Sequence, residues 1–306
     1  MDVRNLVDTI LESYDKYDIT VKIDSDDMLN KDILIEVTEE IRKILFPGFF
    51  TQNRVRREYL PFLLGERLEF IQYNLKKQIV KALGDVDAYR DAEKAVMAER
   101  IVYKFIEKIP EIRECLYTDV LAAYDGDPAA DGTDEVIFSY PGLFAITVYR
   151  IAHELFLLGV PLIPRIMTEY AHSETGIDIH PGAKIGKYFF IDHGTGIVIG
   201  GTTEIGDNVK IYQGVTLGAL STRHGQMLKG VKRHPTIGDN VTIYSGTSVL
   251  GGDTVIGNGV TIGGNAFIVK SVSEGMKVSV KNPELQYSPG KEQSELVQEE
   301  FWDWVI

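Results

Sequence analysis

A single cysteine, Cys115, stands in the 306 residues, which removes an internal disulfide framework and fits the reducing cytosol. No apolar run reaches about 18 residues, so no membrane-spanning helix is expected. The opening "MDVRNLVDTILESYDKYD" lacks the basic start and apolar core of a secretory signal, and a cytoplasmic location is expected. Positive charge is also scarce: 32 Lys and Arg face 45 Asp and Glu, a net charge of −13. That balance argues against nucleic acid or an anionic membrane as the main partner. It leaves room for a small anion held by a local basic patch. Neither a Walker loop nor a GxGxxG turn is present, so any phosphate must be held by side chains and corner amides. What remains, 44% apolar and 25% charged, is the composition of a soluble protein with one large core or two smaller ones.

Two grammars divide the chain. Residues 1–172 read as a helical domain. "DILIEVTEEIRKILF" (32–46) sets Ile33, Ile35, Val37, Ile41, Ile44 and Leu45 near helical spacing, and Pro47-Gly48 stops it. "RREYLPFLLGERLEFIQYNLKKQIVKAL" and "DAEKAVMAERIVYKFIEKIPEIRECLYTDVLAAY" continue in that style until the turn-rich "DGDPAADGTDE". "YPGLFAITVYRIAHELFLLGVPLIPRIMTEYAHSETG" reads as two helices broken at Gly159–Pro161 and again near Pro164. These stripes are read as core.

From Gly176 apolar residues recur every six positions: Ile179, Ile185, Ile191 and Ile197, then Ile199, Ile205, Ile211 and Leu217. After a gap come Ile237 and Ile243, then Leu250, Ile256, Ile262 and Ile268. This period suits a short strand plus a turn, three of which make one triangular coil of roughly 18 residues. Each apolar residue then points into the prism. The corner pairs around Gly206, Gly238, Gly257 and Gly263 are expected to take left-handed backbone conformations. The expected solenoid covers 173–275, with 276–306 as a C-terminal tail. One stretch, 219–236, has no hexad spacing and carries Arg223, Lys229, Lys232 and Arg233. It is expected to be extruded at a corner and to be functional.

The hexad half resembles the hexapeptide-repeat acyltransferases, whose fold is a left-handed parallel β-helix. "DIHPGAKIG", "IDHGTGIVIG", "GVTLG" and "KRHPTIGDNV", in that order after a helical half, together with "DGDPAAD" at 125–131, resemble the serine acetyltransferases. The resemblance spans roughly residues 115 to 275. It implies an acyltransferase that moves the acetyl group of acetyl-CoA onto the hydroxyl of L-serine, the first step from serine toward cysteine.

An imidazole is the usual base for a hydroxyl near neutral pH, and His193 is the candidate. A carboxylate must hold its tautomer. Asp178, 15 positions earlier, falls close to one coil before it, and the resemblance names that pair. Spacing alone does not separate Asp178 from the adjacent Asp192. The resemblance further implies that Arg233 grips the serine carboxylate, that His234 helps position serine, and that Asp127 and Asp192 accept from its ammonium group. It places the pantetheine arm of CoA along the prism between neighbouring subunits, near Gly218, Ser245, Gly246, Gly263 and Lys270. Lys229, Lys277 and Lys281 are further candidates for its phosphates. Cys115 reads as a packed helix residue, so direct transfer is expected rather than a covalent acyl-enzyme. No metal is expected.

Partners follow from the same resemblance: a homotrimer or a dimer of trimers, L-cysteine as a feedback inhibitor, and O-acetylserine sulfhydrylase bound through the terminal Ile306. Trp302 and Trp304 beside that residue instead suit a tail packed on the body. Three rival readings stand. One is a sugar or amine acetyltransferase, which has no need of Arg233. Another is a carbonic-anhydrase-type metal site of His180, His193 and His234. The last is a scaffold without activity.

Overall fold

The computed structural model describes residues 3–17, 22, 28–51, 55–84, 91–221, 223 and 225–281. The expectations for Trp302, Trp304 and Ile306 lie outside the described residues. Helices α1 (Val3–Lys16), α2 (Lys31–Leu45), α3 (Leu60–Leu83), α4 (Asp91–Glu107), α5 (Ile109–Gly126), α6 (Thr133–Ser139), α7 (Pro141–Leu157) and α8 (Ile163–Thr175) precede all strands. Helix α2 starts where the Asn30 side chain accepts from the Ile33 N–H at 3.0 Å, filling one of the orphan donors of a helix start. It buries Leu34, Val37, Ile41, Ile44 and Leu45. The stripe runs through Leu34, so Ile33 and Ile35 sit at its margins. Pro164 does not break a helix. It lies in the first turn of α8, where a missing N–H costs nothing.

Among the described residues fourteen short strands, all paired in parallel, form three faces. Face 1 stacks β1 (Asp178–Ile179), β4 (Val198–Ile199), β7 (Thr216–Gly218), β10 (Ser248–Leu250) and β13 (Phe267–Ile268). Face 2 stacks β2 (Lys184–Ile185), β5 (Glu204–Ile205), β8 (Thr236–Ile237) and β11 (Val255–Ile256). Face 3 stacks β3 (Phe190–Asp192), β6 (Lys210–Tyr212), β9 (Thr242–Ile243), β12 (Thr261–Ile262) and β14 (Lys277–Val278). Ile199, Leu217, Ile211, Ile243, Ile256 and Ile262 are fully buried inside the prism, where each meets its equivalent one coil along.

Coil length departs from the hexad ideal. Register partners Asp178 and Val198 lie 20 positions apart, Val198 and Thr216 lie 18 apart, and Ser248 and Phe267 lie 19 apart. The extra residues matter at one place. Val249, not Leu250, fills the prism, and Leu250 turns outward opposite Gly218. Because side chains alternate along a strand, a slip of one position reverses inside and outside.

The corners meet the expectation in part, at Asn208 and Asn240. Asn208, Asn240 and Asn265 take the left-handed conformation, with φ of 55°, 58° and 57°. Gly206 and Gly238 do not. They are glycines because a Cβ would meet the Asp239 and Asn258 side-chain oxygens at 2.2 and 2.4 Å. Those oxygens accept from the Asp207 and Asp239 N–H groups at 2.8 Å each, a ladder that ties coil to coil.

The helical half sits on the open end of the first coil. Tyr149 donates its hydroxyl to the Ala183 carbonyl at 2.6 Å. The Nδ1 of His153 bonds the Pro181 carbonyl at 2.7 Å. Arg150 donates to the Ile185 and Gly186 carbonyls at 3.3 and 2.7 Å and grips Asp119 through two bonds of 2.6 and 2.9 Å. Asp119 is 1% exposed and accepts also from the Phe189 N–H. Every polar group of this buried junction thus has a partner, without which its desolvation would be costly.

Candidate active site

The prism has three edges. The first edge, between faces 3 and 1, carries His193, which follows β3 directly. His193 holds φ +56°, a conformation uncommon outside glycine and found most at turns and functional sites. The turn throws its ring outward, with the side chain 74% exposed. Gly194 beside it, at φ +95°, admits no Cβ, which would meet Ile177 at 2.4 Å.

Around that corner several elements converge. Asp192 ends β3, and its carboxylate lies 3.7 Å from the His193 Nδ1. Asp127 follows α5 directly, and Tyr140 directly precedes α7. The Tyr140 hydroxyl donates to Asp127 at 2.6 Å, and the Ala129 N–H donates at 2.9 Å. These two bonds hold the Asp127 carboxyl below its ordinary range, with His193 and Lys210 lowering it further. Burial, then the Asp127 hydrogen bond, push the Tyr140 phenol up, and Asp192 adds to the effect. Tyr212, opposite Asp192 in register, stacks on Tyr244 at 4.9 Å. Burial and then Asp192 raise its phenol. Lys210 reaches the Gly126 carbonyl at 3.1 Å and braces the Asp127 loop. The sequence reading missed Tyr140 and Tyr212. The "YPG" start of a helix 13 positions after Asp127 was the available signal for Tyr140.

Asp178 has a different partner. Its carboxylate is 3.2 Å from Arg165, which also ion-pairs with Glu169. Among the described residues, the carboxylate beside the His193 ring is that of Asp192.

The second edge, between faces 1 and 2, carries Arg233 and His234 at the end of the extruded loop. The Thr202 hydroxyl accepts from the Arg233 and His234 N–H groups at 3.0 and 3.1 Å. It lies 2.8 Å from the His234 Nδ1, which also accepts from the Thr202 N–H at 3.0 Å. With Nδ1 an acceptor, the proton resides on Nε2, which lies over Gly200, where a Cβ would meet it at 2.2 Å. Burial, then Arg233 and His180, hold the His234 ring down at about 4. One Arg233 nitrogen binds the Leu228 carbonyl at 3.1 Å. His180 sits on this same edge, its Nδ1 taken by the Gly182 N–H at 2.9 Å.

The remaining predicted residues divide between the two edges. Ser245, Gly246 and Gly263 lie along the first edge, after β9 and β12. Gly196, Gly214 and Gly246 stack there, each so close that a Cβ on one would approach the next at 3.5 Å. The result is a line of closely stacked backbone running away from His193. Gly218 and Lys270 lie on the second edge. His180 and His234 therefore share an edge that His193 does not. Among the described residues the group with metal-ligand spacing is Glu169, His172 and Asp178, within 4.8 Å of one another, and Arg165 already pairs with two of the three.

No protein-family model matches the chain. The plasmid serine acetyltransferase of Synechococcus elongatus is 47% identical over 248 residues, covering 78% of this chain and 77% of that protein. The crystal structure of Entamoeba histolytica serine acetyltransferase isoform 3 in complex with cysteine superimposes with a TM-score of 0.70 at 40% identity, over 84% of this chain and 85% of that one. The Neisseria gonorrhoeae serine acetyltransferase in complex with serine does so with a TM-score of 0.54 at 27% identity, over 83% and 97%. The left-handed parallel β-helix expected for the repeat half is the architecture these likenesses share. Among the described residues no helix is long and apolar enough to cross a membrane.

Proposed function

The chain belongs to the serine acetyltransferase family, and we propose that it transfers the acetyl group of acetyl-CoA to L-serine, giving O-acetyl-L-serine and CoA. The observation that carries this reading is the His193 imidazole, turned outward on a left-handed corner with a carboxylate at its Nδ1 side. Nε2 takes the serine hydroxyl proton as the oxygen attacks the thioester carbonyl. The new C–O bond forms, backbone N–H groups hold the oxyanion, and the C–S bond breaks. The proton then passes from His193 to the departing thiolate. No acyl-enzyme is needed. The Cys115 thiol is half-buried in α5, and desolvation pushes it up, away from the thiolate form that a nucleophile requires.

Asp127 and Asp192 present carboxylates to the serine ammonium group, while Arg233 binds its carboxylate and the Nε2–H of His234 donates beside it. These groups sit on two edges. A prism side of about six residues spans on the order of 20 Å, far beyond the reach of one serine. We therefore assign each site to two chains, the first edge of one facing the second edge of its neighbour, in a homotrimer or a dimer of trimers. The glycine edge then takes the pantetheine arm of CoA between subunits, with Ser245, Gly246 and Gly263 on one side and Gly218 and Lys270 on the other. L-Cysteine, which resembles serine at every group these residues hold, is the feedback inhibitor in this reading. Ile306 is the contact for O-acetylserine sulfhydrylase in this reading, as the family resemblance implies.

Thiol release from acetyl-CoA tests the reaction. L-Serine should stimulate it, and galactosides and amino sugars should not. Preference for a sugar acceptor would replace this reading. The His193→Ala protein should remain folded and lose activity by about 10²-fold or more.

A further inference from the structure

Behind the His193 corner lies a cavity of about 400 Å³ between α2, α6, α7 and α8. Its volume falls in the range of small-molecule sites, roughly 300 to 1,000 Å³. Phe50, Phe138, Phe144 and Tyr170 form its aromatic walls. Arg42 enters between two of them, its guanidinium 4.0 Å from the Phe50 ring centre and 5.0 Å from that of Phe144. One Arg42 terminus meets Glu39 at 3.2 Å, but the Nε–H is buried with no partner. Such a donor carries a desolvation cost. Phe50, which covers Arg42, holds φ +55°. A bulky residue in that region is strained, and strain of this kind gathers at ligand clamps. Glu174 adds a carboxylate to the same lining.

The cavity touches the candidate active site through two residues. Tyr140 lines it and donates its hydroxyl to Asp127. Thr175 lines it and accepts the Ile177 N–H at 3.1 Å, next to Gly176, on which the Thr195 methyl packs beside the His193 corner. Neither Arg42 nor Phe50 has a role in the acetyl transfer proposed above.

We propose that this cavity is a regulatory site for a small α-amino acid with an apolar side chain. The ligand carboxylate pairs with the Arg42 guanidinium, its ammonium group faces Glu174, and its side chain packs among the phenylalanine rings. Occupancy presses on the Tyr140 ring and so moves the Asp127 carboxylate that the serine ammonium group needs. One cation, the carboxylates of Glu39 and Glu174 and an aromatic chamber together match a zwitterion with an apolar tail, and match neither a sugar nor a phosphate.

Isothermal titration calorimetry of the full chain with L-leucine, L-methionine and L-phenylalanine tests the site directly, whichever reaction the enzyme performs. At least one probe should bind at one site per chain. Isoamylamine and 4-methylpentanoate, which lack the carboxylate and the amine, should bind about tenfold more weakly or worse. Arg42→Gln should weaken binding by about tenfold or more. Phe138→Ala, at an exposed wall position, should weaken it while leaving the melting temperature unchanged. Arg233→Ala should leave it intact. Absence of heat with all three amino acids at millimolar concentration, or affinity unmoved by Arg42→Gln, overturns the proposal. Should Arg42→Gln fail to fold, unmoved affinity in Phe138→Ala does the same. Loss of binding in Arg233→Ala reassigns the heat to the serine site and also overturns it, as does 4-methylpentanoate binding as tightly as leucine. The bound amino acid should shift the serine KM, and binding without such a shift removes the coupling through Tyr140.

Discussion

Arg165 holds the Asp178 carboxylate at 3.2 Å, and the acid nearest the His193 ring is Asp192 at 3.7 Å. Two substitutions separate the orienting role that the family resemblance implies for Asp178 from the ammonium-binding role proposed for Asp192. Asp178→Asn should lower kcat on the order of 10³-fold with little change in the serine KM, because an orienting carboxylate acts on the imidazolium that forms during reaction. Asp192→Asn should instead raise the serine KM by about tenfold. Steady-state kinetics for both substrates reads the difference. The reverse pattern would give the orienting role to Asp192.

Placement of His193 and Arg233 on different edges leads to a complementation test. His193→Ala and Arg233→Ala proteins should each be inactive alone. Unfolded, mixed in equal amounts and refolded, they should regain activity at about one site in four, since some interfaces pair an intact first edge with an intact second edge. Mixtures that stay dead would place both residues in one chain's site.

The Arg150–Asp119 pair should dominate the junction of the two halves. Arg150→Ala leaves a buried carboxylate uncompensated and should cost about 3 to 5 kcal/mol, read as a lower urea midpoint with no change in the serine KM of the surviving folded fraction. Asp119→Ala should cost a similar amount. A shift near zero would mean the junction is held by apolar packing alone.

His234 makes stability depend on acid. Burial lowers its pKa from 6.5 to about 4, so an unfolded chain takes up a proton between those values that the folded chain refuses. Its contribution is therefore present above pH 6.5 and lost as pH falls toward 4. Urea midpoints measured at pH 7 and pH 4.5 should diverge less in His234→Asn than in the parent protein. Equal divergence would show that the ring titrates freely in the folded state.

Much of this architecture was legible in the sequence because a solenoid repeats one local rule. Ile199, Ile205, Ile211 and Leu217 each obey it. Leu250 fails because coils of 19 and 20 residues add a position that no hexad count contains, and Ser248-Val249-Leu250 offers two adjacent apolar choices. The glycines were read for their freedom, although at Gly206 and Gly238 it is the missing side chain that matters. His193, Asp192 and Asp127 were visible as motifs. Tyr140 was not, since a tyrosine at a helix start has no distinctive spacing and meets Asp127 only through tertiary packing. Nor did spacing reveal the separation of Arg233 from His193. The extruded loop breaks the count that would have placed both on the prism.

A coil stack has no natural stopping point, since each layer offers the next the same row of hydrogen-bonding groups. Tyr149, Arg150 and His153 occupy that row at the first layer. A chain trimmed to begin at Gly176 would bare it and invite end-on growth into filaments. The helices thus cover the first layer, a task separate from any chemistry at the edges.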